Sequence, residues 1–145
     1  MLLLNRMTKR GFTLIELLVV VSLIGILATL VIANMNSARE RARDTNRKSD
    51  LRNIQTALRL YYNDNSSYPA KAVVDAVWGQ SWSPYMNILP TDPLNDSSTG
   101  QVYTYTYVDS DNYILSSCLE NKSDDKCVTV ADTVCASTCQ YSVKP

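Results

Sequence analysis

Hydrophobic and polar positions divide this chain into three unlike stretches. Residues 11–33, GFTLIELLVVVSLIGILATLVIA, are apolar except for one acid, Glu16, near the start. The 22 residues from Phe12 to Ala33 would span ~33 Å as a helix at ~1.5 Å per residue, about the thickness of a bilayer core. The pattern therefore predicts a membrane-spanning helix over residues 12–33. Residues 34–63 hold neither proline nor glycine and are rich in Arg, Ala and Leu, so the helix is expected to continue. Within them Leu51, Ile54, Leu58 and Tyr61 recur at i, i+3, i+7 and i+10, one apolar face of an amphipathic stalk that needs a sheet to cover it.

After residue 63 the period changes. NDNSSYP, residues 63–69, supplies the turn formers that end the helix. Residues 71–78 suggest a short helical turn, and Trp78, Trp82 and Tyr85 suit the rim of a core. Between residues 102 and 108, Tyr103, Tyr105 and Tyr107 alternate with Val and Thr, a strand with two distinct faces. Residues 109–112 read as a turn and residues 113–119 as a second strand, giving an antiparallel hairpin laid over the helix. The fold class is α+β. A chain of 145 residues with about 33 in leader and span leaves room for one small head, residues 64–145.

Formal charge is balanced overall, yet its distribution is not. Residues 39–59 hold seven basic and three acidic side chains, and residues 60–145 hold four basic and ten acidic. The stalk is basic and the head acidic. Charges such as Arg39, Glu40, Arg43, Asp44, Arg47 and Lys48 read singly as a solvated helix face, with pairing within or between subunits as the alternative. Without aromatic interleaving the basic stalk does not read as a nucleic-acid surface. The sequence has no histidine, so neither a Ser-His-Asp nor a Cys-His pair can be built, and none of its four glycines opens a phosphate loop. An enzyme is not expected.

The residues ahead of the apolar run carry further information. Arg6, Lys9 and Arg10 form a basic head that ends at Gly11, and Phe12 follows directly. A secretory signal has its small-residue cleavage site after the apolar part; here the small residue precedes it. KRGFTLIELLVVVSLIGILA, residues 9–28, closely resembles the class III signal of type IV prepilins and of the pseudopilins of type II secretion. That resemblance implies a pilin-like fold, with a long helix of ~78 Å from residue 12 to 63 forming the family's protruding stem. It implies cleavage after Gly11 by prepilin peptidase, N-methylation of Phe12, and an assembly role for Glu16. It also implies polymerisation of identical subunits, through the apolar helix, into a pilus-like filament built on an assembly platform. The chain departs from many pilins in having Ala33 where they carry a kinking proline. Residues 89–107, LPTDPLNDSSTGQVYTYTY, more weakly resemble the loop and first strand of the major pseudopilin.

The domain reading is then a leader at residues 1–11, a span at 12–33, a stalk at 34–63 and a head at 64–145. By the positive-inside rule the larger basic flank, after the span, belongs in the cytoplasm. Four cysteines in the head favour an oxidising compartment, and the resemblance implies a cytoplasmic leader, so the head is placed outside. The expected course is a single-pass inner-membrane protein that later enters a pilus or pseudopilus at the surface or in the periplasm. Two alternatives stay open: a pseudopilin of a secretion or DNA-uptake machine, and an uncleaved anchored binding module.

A carboxylate inside an apolar span is a functional-site hypothesis by default, although the first turn of a helix favours an acid in any case. Cleavage before Phe12 would create an α-amine of pKa ~8, cationic at neutral pH. Glu16 would then meet the amine of a neighbouring subunit in the filament, or its own Phe12 amine in the membrane.

Asp92, Asp96, Asp109 and Asp111 cluster in sequence around the hairpin. Oxygen-rich loops of this kind hold Ca²⁺ and the resemblance implies calcium in this region, yet the same residue types are ordinary turn formers. No other cofactor is expected. Cys118, Cys127, Cys135 and Cys139 are spaced C-x8-C-x7-C-x3-C, which fits zinc poorly and disulfides better. Three pairings exist; an antiparallel return of the chain after residue 118 favours Cys118 with Cys127 and Cys135 with Cys139.

Overall fold

A computed structural model of the chain describes residues 11–129, 135 and 139–145. It divides into two units at Asn36. The basic leader side chains Arg6, Lys9 and Arg10 lie outside the described residues, as do Val130 and Ala131 of the apolar stretch that begins at Cys127.

One helix, α1, runs over Leu14–Asn65 without a break at residue 33. In the first unit it is long and apolar enough to cross a membrane. Phe12, Leu14, Leu17, Leu23 and Leu27 are all exposed there, so among the described residues of this unit nothing covers the apolar surface.

In the second unit, Ser37–Pro145, the same helix is amphipathic as its period predicts. Leu51, Ile54 and Leu58 are 0% exposed, Ala57 joins them, and Tyr61 packs at the edge. Burial of each large aliphatic contributes about 1.5–3 kcal/mol. Covering this face is a four-stranded sheet of β1 Thr104–Tyr107, β2 Tyr113–Cys118, β3 Val128–Thr129 and β4 Cys139–Val143. The strand order is β1-β2-β4-β3 and every pairing is antiparallel. The expected hairpin is therefore present, with Thr104 opposite Ser116 and Tyr107 opposite Tyr113. Tyr103 and Tyr105 are buried, whereas Tyr107 is exposed beside the turn at residues 109–112. A short helix, α2 Lys71–Asp75, sends Val74 into the core. Trp82 is buried and Trp78 and Tyr85 pack against the core from its rim. The α+β architecture read from the sequence holds.

The disulfide pairing does not. Cys118 bonds to Cys135, and Cys127 to Cys139. The reason lies in strand order. After Cys118 the chain does not return beside β2; it passes to β3, and the last strand, β4, enters between them. Thr129 stands opposite Cys139 and Cys118 opposite Gln140, so Cys127 and Cys118 flank β4 on opposite sides. The crossed pairing ties both neighbours to the C-terminal segment.

Candidate functional site

At the start of α1, Gly11, Phe12 and Thr13 precede the first helical residue, Leu14. Thr13 donates its backbone N–H to Glu16 Oε2 at 2.9 Å and its hydroxyl to the same oxygen at 2.7 Å. Glu16 returns its N–H to Thr13 Oγ1 at 3.3 Å. This reciprocal arrangement is a capping box, which satisfies donors that the first turn would leave without partners. It defines where the helix begins, two residues past Phe12. It also gives the Glu16 carboxylate an intrachain partner inside an apolar segment, and that partner is Thr13 rather than Phe12. Phe12, Ile15, Glu16, Val19 and Val20 share one exposed face, so the carboxylate is presented on an otherwise apolar surface. Thr13 escaped the sequence reading although its signal was present in the T-x-x-E spacing of residues 13–16.

A second polar assembly lies in the other unit, around Arg47. Its guanidinium is 0% exposed and donates from Nε to Asp92 Oδ2 at 2.6 Å, from Nη2 to Asp92 Oδ1 at 3.0 Å, and from Nη1 to Asp44 Oδ1 and Glu120 Oε1 at 2.7 and 2.6 Å. Arg43 makes a paired contact with Glu120, and Asp44 accepts the backbone N–H groups of Glu120 and Asn121. Burial alone would lower the Arg47 pKa, but its bonds to Asp92, Glu120 and Asp44 more than offset this and hold it above its ordinary value. Glu120 is held below the usual carboxylate range, chiefly by the hydrogen bond from Arg43. This junction fixes the loops around residues 92 and 120 onto α1. Asp44 and Arg47, expected on a solvated face, are buried; Arg47, Leu51, Ile54 and Leu58 in fact form one stripe.

The four candidate calcium ligands each have hydrogen-bond partners within the chain, and only Asp109 and Asp111 share a turn. Asp92 is taken by Arg47 and by the N–H of Leu94. Asp96 caps its own turn through Ser98 and Thr99, and Asp109 does the same through Asp111 and Asn112. Asp111 accepts the Tyr62 hydroxyl at 2.6 Å. Among the described residues no three His, Cys, Asp or Glu side chains gather as a metal-holding group.

Residues 6–32 match the prokaryotic N-terminal methylation motif, and residues 34–123 match the family described as type II secretion system, protein G. The chain is 38% identical to the type II secretion system core protein G of Pseudomonas aeruginosa over 61% of its own length and 70% of that protein's. To the core protein G of Klebsiella pneumoniae it is 36% identical, over 59% of this chain and 69% of the relative. To a type IV wide pilus major component of Thermus thermophilus it is 46% identical, over 41% of this chain and 45% of the relative. No solved structure matches. A prepilin-type methylation motif on an apolar helix, continuous with an α+β head that matches protein G over most of its length, makes this chain a member of the type II secretion system protein G family, within the pilin and pseudopilin superfamily.

Proposed function

We propose that this chain is the building subunit of a pseudopilus-like filament, cleaved after Gly11, methylated on Phe12 and polymerised through the apolar half of α1. The observation that carries this reading is the exposed apolar helix headed by a single carboxylate that Thr13 holds in place. Such a surface is stable in lipid, and in water only when it is packed against like helices. In a filament the Glu16 carboxylate exchanges its bond to Thr13 for the charged amine of a neighbouring Phe12. The chain's role is structural and not enzymatic. Its partners are further copies, the prepilin peptidase and an assembly platform in the inner membrane, with the disulfide-bonded head on the extracytoplasmic side. The resemblance to protein G over residues 34–123 favours the short filament of a secretion machine over an extended surface pilus.

N-terminal mass spectrometry of the membrane-extracted protein tests the reading. A chain starting at methylated Phe12 is expected, and one starting at Met1 overturns it in favour of an uncleaved anchored module. Electron microscopy of cells at native expression separates the two filaments: a pseudopilus leaves no long surface fibre.

A further inference from the structure

Three basic residues of the stalk, Arg43, Arg47 and Lys48, are paired inside the subunit with Asp44, Asp92, Glu120 and Asp124. Three other arginines are not. Arg41, Arg52 and Arg59 are exposed, and none forms a salt bridge among the described residues. Their spacing is i, i+11 and i+18, which at 3.6 residues per turn places them within about 20° of one line, ~27 Å long, on the helix surface. Leu51, Ile54 and Leu58, which meet the sheet, lie on a different face.

The complementary charge sits at one end of the same helix. Asp109 and Asp111 are exposed on the β1–β2 turn, and Tyr62 of α1 donates its hydroxyl to Asp111 at 2.6 Å. The same turn accepts the Tyr68 N–H on the Ser110 carbonyl. Asp64, also exposed, lies in the last turn of α1, which contains no basic residue. Asp64 and, by way of Tyr62, the Asp109 and Asp111 turn thus both belong to the C-terminal end of α1, where the helix macrodipole is itself negative. From that end the arginine line runs back along the shaft.

We propose that the line formed by Arg41, Arg52 and Arg59 is the docking surface for a second copy of this chain, which brings Asp64 and the Asp109 and Asp111 turn against it. The argument rests on the filament reading in one respect: copies anchored in one membrane stand parallel. Parallel copies whose opposite charges are displaced along the helix match only when one is shifted axially past the other. The contact is heterologous and does not close, which is what a growing helical filament requires. Charge complementarity of this kind fixes register and excludes unshifted neighbours, where arginine would face arginine.

The test uses full-length chains in cells that supply the assembly machinery, with sheared filaments quantified by immunoblot. The triple variant Arg41→Glu, Arg52→Glu, Arg59→Glu is expected to lower filament yield about tenfold or more, since like charges would face each other across the contact. The acidic triple Asp64→Lys, Asp109→Lys, Asp111→Lys is expected to do the same, and the six-fold combination to recover most of the yield. Glutamate is a good helix former, so the arginine variant should melt as the wild type does. Wild-type yield from that variant overturns the docking surface. A second measurement avoids dependence on the acidic turn: with Arg41→Lys, Arg52→Lys, Arg59→Lys, zero-length carbodiimide coupling in filaments mixed from isotopically light and heavy copies should join these positions to 64, 109 or 111 of another copy. Coupling to none of the three overturns the proposal. A wild-type chain that makes no filament at all condemns the filament reading instead, an outcome distinct from both.

Discussion

The guanidinium of Arg47 and the carboxylate of Asp92 face each other edge to edge, joined at 2.6 and 3.0 Å with both side chains at 0% exposure. Removing one partner strands the other as a buried charge, at a cost of about 3–5 kcal/mol. Arg47→Met is therefore expected to lower the Tm of the detergent-solubilised chain by roughly 12 °C or more. Arg47→Lys should fall in between, because an ammonium cannot make the paired contact. Circular dichroism melts check both, and a variant melting within a degree or two of the wild type would show that the junction contributes little. Since Asp92 is held by an internal cation, calcium chelation is expected to leave the same melt unchanged.

Acid should loosen the same region. The Glu120 pKa is lowered, first by the hydrogen bond from Arg43 and then by Arg47, against burial. For Asp124 burial opposes the shift, and the bond from Lys48 overcomes it. A folded-state pKa below the unfolded one means stability that is present above the ordinary carboxylate pKa of about 4 and is lost as pH falls through the folded value. At the other extreme, burial raises the Tyr113 phenol to about 12, so its contribution is present below the ordinary tyrosine pKa of about 10 and is lost as pH rises through the folded value. The melting temperature should be flat near neutrality, falling below about pH 4 and again above about pH 10. A Tm that rises on acidification from pH 5 to 3 would contradict this ion-pair assignment.

What the sequence disclosed follows from the range of each interaction. The helix and the hairpin were legible because their signals are local: a 3.6-residue period over residues 34–63, which hold neither Pro nor Gly, and alternating tyrosines beside a turn. Strand order was not, because β4 enters between β2 and β3 through pairing that no local pattern encodes, and β3 is only two residues long. The burial of Arg47 was hidden for a related reason. Its partners Asp92 and Glu120 lie 45 and 73 residues away in sequence, so at sequence level it resembles any solvated stalk arginine. Thr13 was overlooked for a different cause: its capping signal is local, but it is embedded in a run whose hydrophobicity dominates the reading.

The crossed disulfides give a third expectation. They close segments with sequence separations of 17 and 12 residues, and chain entropy values each such loop at about 3 kcal/mol. Non-reducing peptide mapping should join Cys118 to Cys135 and Cys127 to Cys139. A peptide joining Cys118 to Cys127 would instead require those two cysteines to meet across β4. Reduction, or Cys127→Ser with Cys139→Ser, is expected to release the C-terminal segment before the hairpin, seen as early loss of amide protection across β4 while β1 and β2 remain protected.

The capping box separates two roles that Glu16 would otherwise confound. One is local, since its carboxylate caps the helix through Thr13; the other, in the filament reading, is to meet a neighbour's amine as a charge. Glutamine serves in a capping box almost as well as glutamate but is neutral. Glu16→Gln is therefore expected to insert, to be cleaved and to start its helix normally, yet to fail in assembly as completely as Glu16→Ala. Thr13 should behave in the opposite way. Thr13→Ser keeps the hydroxyl and should assemble normally, and Thr13→Val, which loses a cap worth about 1 kcal/mol without removing the charge, should also assemble, because the filament gives up the Glu16 bond to Thr13 in any case. Quantifying cleaved subunit and sheared filament for the four variants in one strain decides it: full assembly by Glu16→Gln would reduce Glu16 to a helix cap and remove the charge-pairing step.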